Sequence, residues 1–491
     1  MAAKHNDEEG TTMNPKIYSS DTEEGGNVVI DRAKEKKLVR KLDLHIIPVV
    51  MLLYLLSFLD RVNIGNARLY GLEEDLGLSS SQFQTAVSIL FVTYVISELP
   101  SNLILKGYVR PSRWIAFITV SWGIIATLTG VVQSYAGLIV CRLLLGLVEG
   151  GLFPGAAIYL TFFYTKHELA LRIGYLFVSA ALAGACGGLL AYGIGFMDGV
   201  AGQRGWRWIL IIEGLPTLLL GIACWWILAD DPETAYYLND EEKELILARR
   251  ATQVGHVDVF DWKDVRKGLK DWKIWMFCAG QFCLDTMLYG FSTFLPTIIL
   301  AIRPESSRAI VQVLTIPVYT VGAVSYMAAA RYSDWRQSRG PVAVLFSLIA
   351  VVGYAMLISD ANTGVHFAGC FLVAMGLYVA VGIPLAWLPS NNPRYGKRTT
   401  ATGLQLTIGN CSGIMAPFLY PSSEGPRYLK GHGVTMALVG LGSVLYAVMY
   451  VYFTRENKMR AAGKRDERMQ GMNDEEILAL GDENPKFVFA A

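Results

Sequence analysis

Long apolar runs recur along the whole chain, and any fold must find a place for them. Stretches such as Ile46–Phe58, Trp114–Val132 and Met436–Phe453 belong to segments that, at 1.5 Å per helical residue, reach across a hydrocarbon layer about 30 Å thick. In order they predict helices near 44–66, 82–106, 114–132, 135–163, 171–196 and 208–229, then near 273–301, 308–330, 341–358, 365–389, 399–420 and 432–454. Of the 491 residues, 17% are charged, where a soluble protein would carry about a quarter. The expectation is an all-α polytopic membrane protein of twelve transmembrane helices.

Basic residues orient such a chain. They cluster in the N-terminal tail (Arg32, Lys34, Lys36, Lys37, Arg40, Lys41), at Lys106/Arg110/Arg113, at Lys166/Arg172, in the central insert, at Arg331/Arg336/Arg339, at Arg394/Lys397/Arg398 and in the C-terminal tail, which is every second connection. The alternate loops, such as Glu73–Asp75 and Ser359–Asn362, are acidic or nearly neutral. Both termini are therefore expected in the cytoplasm. No cleavable signal peptide is visible, so the first span should insert as its own anchor. The organisation expected is a polar, disordered tail over 1–41, a six-helix bundle over 42–229, a cytoplasmic loop over 230–272, a second six-helix bundle over 273–454 and a cytoplasmic tail over 455–491. Within the loop, Asp240–Arg250 has acids first and bases last, which suits a short helix.

Several function classes fall away. The net charge of +1 argues against a nucleic-acid partner. The seven cysteines form no CxxC and no Cys/His cluster at metal spacing, and they fall inside predicted spans, where packing is the plain reading. The six histidines are scattered and no GxxxxGK[ST] loop is present, so neither an embedded enzyme nor an ATP-driven pump is expected. No cofactor is expected, and a monomer is.

The informative residues are charges inside predicted spans. Each would cost roughly 2.5–3.5 kcal/mol facing lipid at the bilayer centre, so they must face one another or water. Span one carries Asp60-Arg61 followed by Asn63 and Asn66; span four carries Arg142 and Glu149, seven residues and about 10 Å apart on nearly one helix face. Gly150, Gly151 and Pro154 follow and allow close packing and a bend. An arginine offers a fixed fork of donors to a carboxylate, and a desolvated acid can carry a proton. Protonating Asp60 or Glu149 would release Arg61 or Arg142 for an anion. The same four residues would also serve as buried ion pairs tying spans one and four together. Glu98 reads as a helix-end contact or a site residue, and Glu213 as packing or gating. Asp285, near Tyr289, meets either a cationic or hydroxylated substrate or a structural hydrogen bond. Asn410, between Gly409 and Gly413 in an irregular span, is a polar contact to substrate.

Two six-helix sets around a long polar insert match the parallel repeats of the major facilitator fold, whose site lies between the halves near the midplane. The stretches Tyr54–Arg68, Leu99-Pro-Ser-Asn-Leu103, Arg142…Glu149-Gly-Gly-Leu-Phe-Pro-Gly155, Gly205-Trp-Arg-Trp208…Glu213-Gly214 and Trp387…Ser390-Asn-Asn392…Gly409-Asn410 resemble the anion:cation symporter branch of that superfamily, in particular its fungal allantoate/nicotinate permease-like members. The resemblance runs from about Lys37 to Phe453. It implies that Asp60 and Glu149 couple protons, and that Arg61, Arg142 and Asn410 bind a substrate carboxylate. The loop Ser333–Arg339 is similar to the superfamily's signature, in which Asp334, Arg336 and Arg339 would latch cytoplasmic helix ends. The resemblance further implies proton symport of a small organic anion (carboxylate, ureide or nicotinate-like vitamin) across the plasma membrane. On the same fold the alternatives are a proton-antiport exporter of a secondary metabolite and a non-transporting nutrient sensor.

Overall fold

In a computed structural model that describes residues 31–107, 109–251 and 261–491, the chain is a bundle of long helices. The first set is α1 (Arg32–Leu69), α2 (Ser80–Gly107), α3 (Pro111–Thr129), α4 (Tyr135–Thr161), α5 (Lys166–Gly195) and α6 (Gly205–Ile227). The second is α7 (Trp272–Ile302), α8 (Arg308–Arg336), α9 (Gly340–Ile358), α10 (Thr363–Ser390), α11 (Tyr395–Met415) and α12 (Leu429–Ala461). Ten of the described helices are long and apolar enough to cross a membrane. α11 is more polar, with Thr402, Gln405, Thr407 and Asn410, and it is tolerated because α2, α7 and α10 pack around it.

One expectation needs correction. α1 begins at Arg32, capped by the Asp31 carboxylate on the Ala33 N–H at 2.8 Å, so 32–41 are helical and not part of a disordered tail. Leu38 and Leu42 are buried on this extension, which gives it an apolar stripe to pack. The rest of that tail, and 252–260 of the central loop, lie outside the described residues. α4 is interrupted between Glu149 and Leu152, at the glycines read as allowing close packing and a bend; Gly150 and Gly151 lie so close on α2 that a β-carbon would strike Ser97, Tyr94 and Ser101.

An internal repeat is visible in which helices touch. In the first half α1 packs on α5, α2 on α4 and α3 on α6; in the second, α7 packs on α11, α8 on α10 and α9 on α12. Each pairing recurs six helices later. The halves meet along α1/α7, α2/α11 and α5/α8. At the end of the bundle where α1 finishes (the far face), this seam is tight. Gly65 lies directly on the Thr293 backbone, Phe91 covers Gly413, Gly188 abuts Thr315, and the Ser88 hydroxyl donates to the Ile414 carbonyl at 2.7 Å. Arg68 closes it by donating to Ser422 across the halves.

At the opposite end (the terminal face), polar segments tie each half to itself. The Asp240–Ala251 helix is pinned to α1 and α5 by Lys41–Glu242 at 2.7 Å, Arg249–Glu35 at 3.0 Å and Arg249–Glu168 at 2.6 Å. Residues beyond α12 fold back as a strap across the second half. Asp482 pairs with Lys397 on α11 at 2.8 Å and Lys273 on α7 at 3.0 Å. The Ala490 carbonyl accepts from the Trp387 indole at 2.7 Å, and Phe489 stacks on Phe453 with centroids 4.7 Å apart. Burial alone would raise the Asp482 carboxyl, but the two lysines more than offset it and hold it below the ordinary aspartate value.

Candidate functional site

Consecutive helical residues point about 100° apart, and this separates Asp60 from Arg61. Arg61 turns toward α4: its Nε donates to Glu149 Oε1 at 2.7 Å, and Ser57, one turn earlier, donates to the same oxygen at 2.5 Å. The guanidinium also lies 4.6 Å over the Tyr94 ring of α2 and 5.4 Å over Phe58, contacts of the cation–π type. Asp60 turns toward α3, where its Oδ2 accepts the Trp122 indole N–H at 2.5 Å. The arginine that Glu149 holds is therefore Arg61 on the neighbouring helix. Its own helix partner Arg142 sits two turns away, within electrostatic reach of Asp60 and Glu149.

All four of these residues are buried: Glu149 is 0% exposed, Arg142 3%, Asp60 5% and Arg61 9%. Two polar atoms among them have no partner, Arg142 Nε and Glu149 Oε2. A buried unpaired donor or acceptor costs about 1–3 kcal/mol, more when charged. Arg142 Nε and Glu149 Oε2 thus keep unused hydrogen-bonding capacity inside the bundle.

The second half supplies a polar wall. Tyr289 on α7 donates to Asn410 Oδ1 on α11 at 2.5 Å, and its ring meets Phe91 of α2 edge-on with centroids 4.5 Å apart. Asp285, one turn before Tyr289, accepts from Gln281 at 2.8 Å. Gln281 in turn accepts from Gln405 at 3.1 Å and Tyr446 at 3.3 Å. Across the seam Thr407 of α11 lies 3.4 Å from Glu98 of α2. Tyr289 is within electrostatic reach of both Arg61 and Asp285, so the charged core of the first half and the polar wall of the second face one another.

The Major Facilitator Superfamily profile matches residues 50–417. The chain belongs to this superfamily. It is 40% identical over 437 residues to an uncharacterized transporter of Schizosaccharomyces pombe, covering 88% of this chain and 87% of that one. It is 32% identical over 479 residues to the high-affinity nicotinic acid transporter of Saccharomyces cerevisiae, covering 96% and 88%. Among solved structures, a bacterial homolog of the human lysosomal transporter Spinster, in an inward-facing and occupied conformation, superposes with a TM-score of 0.64 at 16% identity over 82% of this chain and 96% of that one. This facilitator is thus a multi-pass membrane transporter and not an enzyme.

The three loop residues expected to form a latch are only partly assembled. Arg339 reaches α10, donating to the Ala386 carbonyl and the Ser390 hydroxyl, while Asp334 stands 4.0 Å from Arg339 and is largely exposed. Arg336 lies over the exposed Trp335 ring at 5.5 Å instead. Asp60, Arg61, Arg142 and Glu149 do gather in the first half, and Asp285 and Asn410 sit on adjacent helices of the second. Sequence reasoning missed Ser57, Trp122 and Gln281. Ser57 and Gln281 stand one turn before Arg61 and Asp285 on the same face, which is a readable signal. Trp122 comes from another helix and left none.

Proposed function

We propose that this facilitator is a proton-coupled symporter that carries a small organic anion into the cell across the plasma membrane, working as a monomer with both termini cytoplasmic. The observation that carries the reading is the buried Arg61–Glu149 pair beside an Arg142 whose Nε has no partner. Arg142 and Arg61 bind the substrate carboxylate, Asn410 and Asp285 hold its other end, and Glu149 with Asp60 carries the coupling proton. Protonating Glu149 removes the counter-charge from Arg61 and frees the guanidinium for a second carboxylate, that of the substrate. Proton and anion then load together, because the buried core is better neutralised with both than with either. The likeness to a nicotinic acid transporter supports a heteroaromatic or aliphatic carboxylate of similar size. The tight far-face seam is an outward gate in its closed position, with Asp334, Arg336 and Arg339 acting on the opposite gate.

The test is uptake of a panel of radiolabelled carboxylates, nicotinate first, into proteoliposomes bearing the wild type or Arg142→Ala. The expected result is accumulation by the wild type and none by the variant, with equal membrane insertion. Normal uptake by Arg142→Ala rejects the carboxylate-clamp role.

A further inference from the structure

The buried core of the first half contains one acid more than the pairs described so far account for. Glu213 on α6 is 2% exposed. Its Oε2 accepts from the Asn63 amide, while its Oε1 is buried with no partner. Asn63 lies against Asp60 as well, and Asn66 donates to Asn63 at 3.3 Å. Among the described residues, Asp60 lies within electrostatic reach of Glu149, Glu213 and Arg142, and Glu149 pairs with Arg61; fully ionised, these three acids and two arginines would leave a net negative charge buried in the bundle.

Among the described residues, nothing else faces Glu213 to cancel that charge. α1 brings Asp60, and Arg142 and Glu149 of α4 lie within electrostatic reach of Asp60. On α3 the sole charged residue is Arg113, at its terminal-face start, and on α5 the charged residues all lie within the first two turns, up to Arg172. Arg207, on α6 itself, is committed to Asp75 at 3.0 Å near the far face. Glu149 already has Arg61. The excess charge falls on the two carboxyl groups bridged by Asn63. An isolated ionised carboxylate in such a medium neutralises by taking a proton, and two neighbouring carboxylates hold one between them for the same reason.

We propose that Glu213 is a proton-holding site, one proton being held between it and the neighbouring Asp60, with the Asn63 amide lying against both carboxyl groups. The proton leaves as H⁺ to water entering the opened cavity when Arg142 moves onto Asp60 and supplies the missing positive charge. The proposal extends the proton-coupled reading by a third acid, and its test needs no substrate, so either idea can fail without the other.

The experiment is infrared difference spectroscopy of the full-length protein in lipid bilayers, following the C=O stretch of protonated carboxyl groups against pH. In the wild-type minus Glu213→Gln spectrum at pH 7, a protonated-carboxyl band belonging to the wild type is expected; its absence overturns the proposal. Should Glu213→Gln fail to fold, Asp60→Asn serves. Removing the neighbouring acid is expected to ease ionisation of Glu213 at least tenfold, moving the midpoint of a carboxyl band to lower pH. Midpoints that all stay unchanged in Asp60→Asn overturn the proposal as well.

Discussion

Replacing Glu149 by glutamine should separate binding from coupling. In the structure Glu149 Oε1 receives both Ser57 at 2.5 Å and Arg61 at 2.7 Å. Glutamine keeps an oxygen there but no charge, so the bond from Ser57 becomes an ordinary one, roughly half as strong, and that from Arg61 keeps only its donor's charge. Removing one partner of a buried ion pair costs about 3–5 kcal/mol when the other is stranded. Here the Arg61 guanidinium keeps the Tyr94 and Phe58 faces at 4.6 and 5.4 Å, each contact contributing about 0.5–2 kcal/mol. The variant should therefore fold, with Arg61 free for the anion. Coupling is where the loss appears. One proton per anion converts each unit of pH gradient into about tenfold accumulation, since one unit corresponds to about 1.36 kcal/mol. Glu149→Gln should reduce that ratio to about one while retaining counterflow exchange of labelled for unlabelled nicotinate in proteoliposomes. A variant that still concentrates nicotinate about tenfold per pH unit would refute the assignment of the proton to Glu149.

Other perturbations test separate parts of the structure. Tyr289→Phe removes the hydroxyl that orients Asn410 at 2.5 Å and should weaken nicotinate binding by roughly 0.5–1.5 kcal/mol, the worth of one hydrogen bond, read as a rise of about two- to tenfold in Kd by calorimetry. Gly65→Leu puts a side chain where the Thr293 backbone now lies; the far-face seam should stay open, and a cysteine at Ser422 should react with a membrane-impermeant maleimide faster than in the parent. The strap depends on ionised Asp482. Because the folded carboxyl lies below its ordinary value, its contribution is fully present above the unfolded value and is lost only as pH falls through the depressed one, so the strap should stay docked throughout the neutral range. Asp482→Asn should release it, seen as faster tryptic cleavage at Lys486, and an unchanged rate would show that Phe489 and Trp387 suffice.

The fold was legible because span length and loop charge are local properties. Twelve helices in two sets can be read from runs such as Trp114–Val132 and from basic loops, without knowing what touches what. The buried charges were legible as residues that must turn inward, but their pairings were not. Asp60 and Arg61 are neighbours in sequence, yet helical geometry sends one to Trp122 and the other to Glu149. The break in α4 at Gly150-Gly151 was foreshadowed by the glycines, but its position depends on Ser97 and Tyr94 of another helix. Glu213 could not be grouped with Asp60 from sequence at all, because only the packing of α6 against α1 brings Asn63 to it.

The most direct measurement is proton movement during uptake. Wild-type proteoliposomes carrying an external pH indicator, with no pH gradient imposed, would be given an inward nicotinate gradient while labelled uptake is tracked in parallel. For a proton symporter the outside should turn alkaline as the anion enters, in fixed proportion to uptake. Nicotinate entry that leaves the external pH unchanged, or acidifies it, would contradict proton symport.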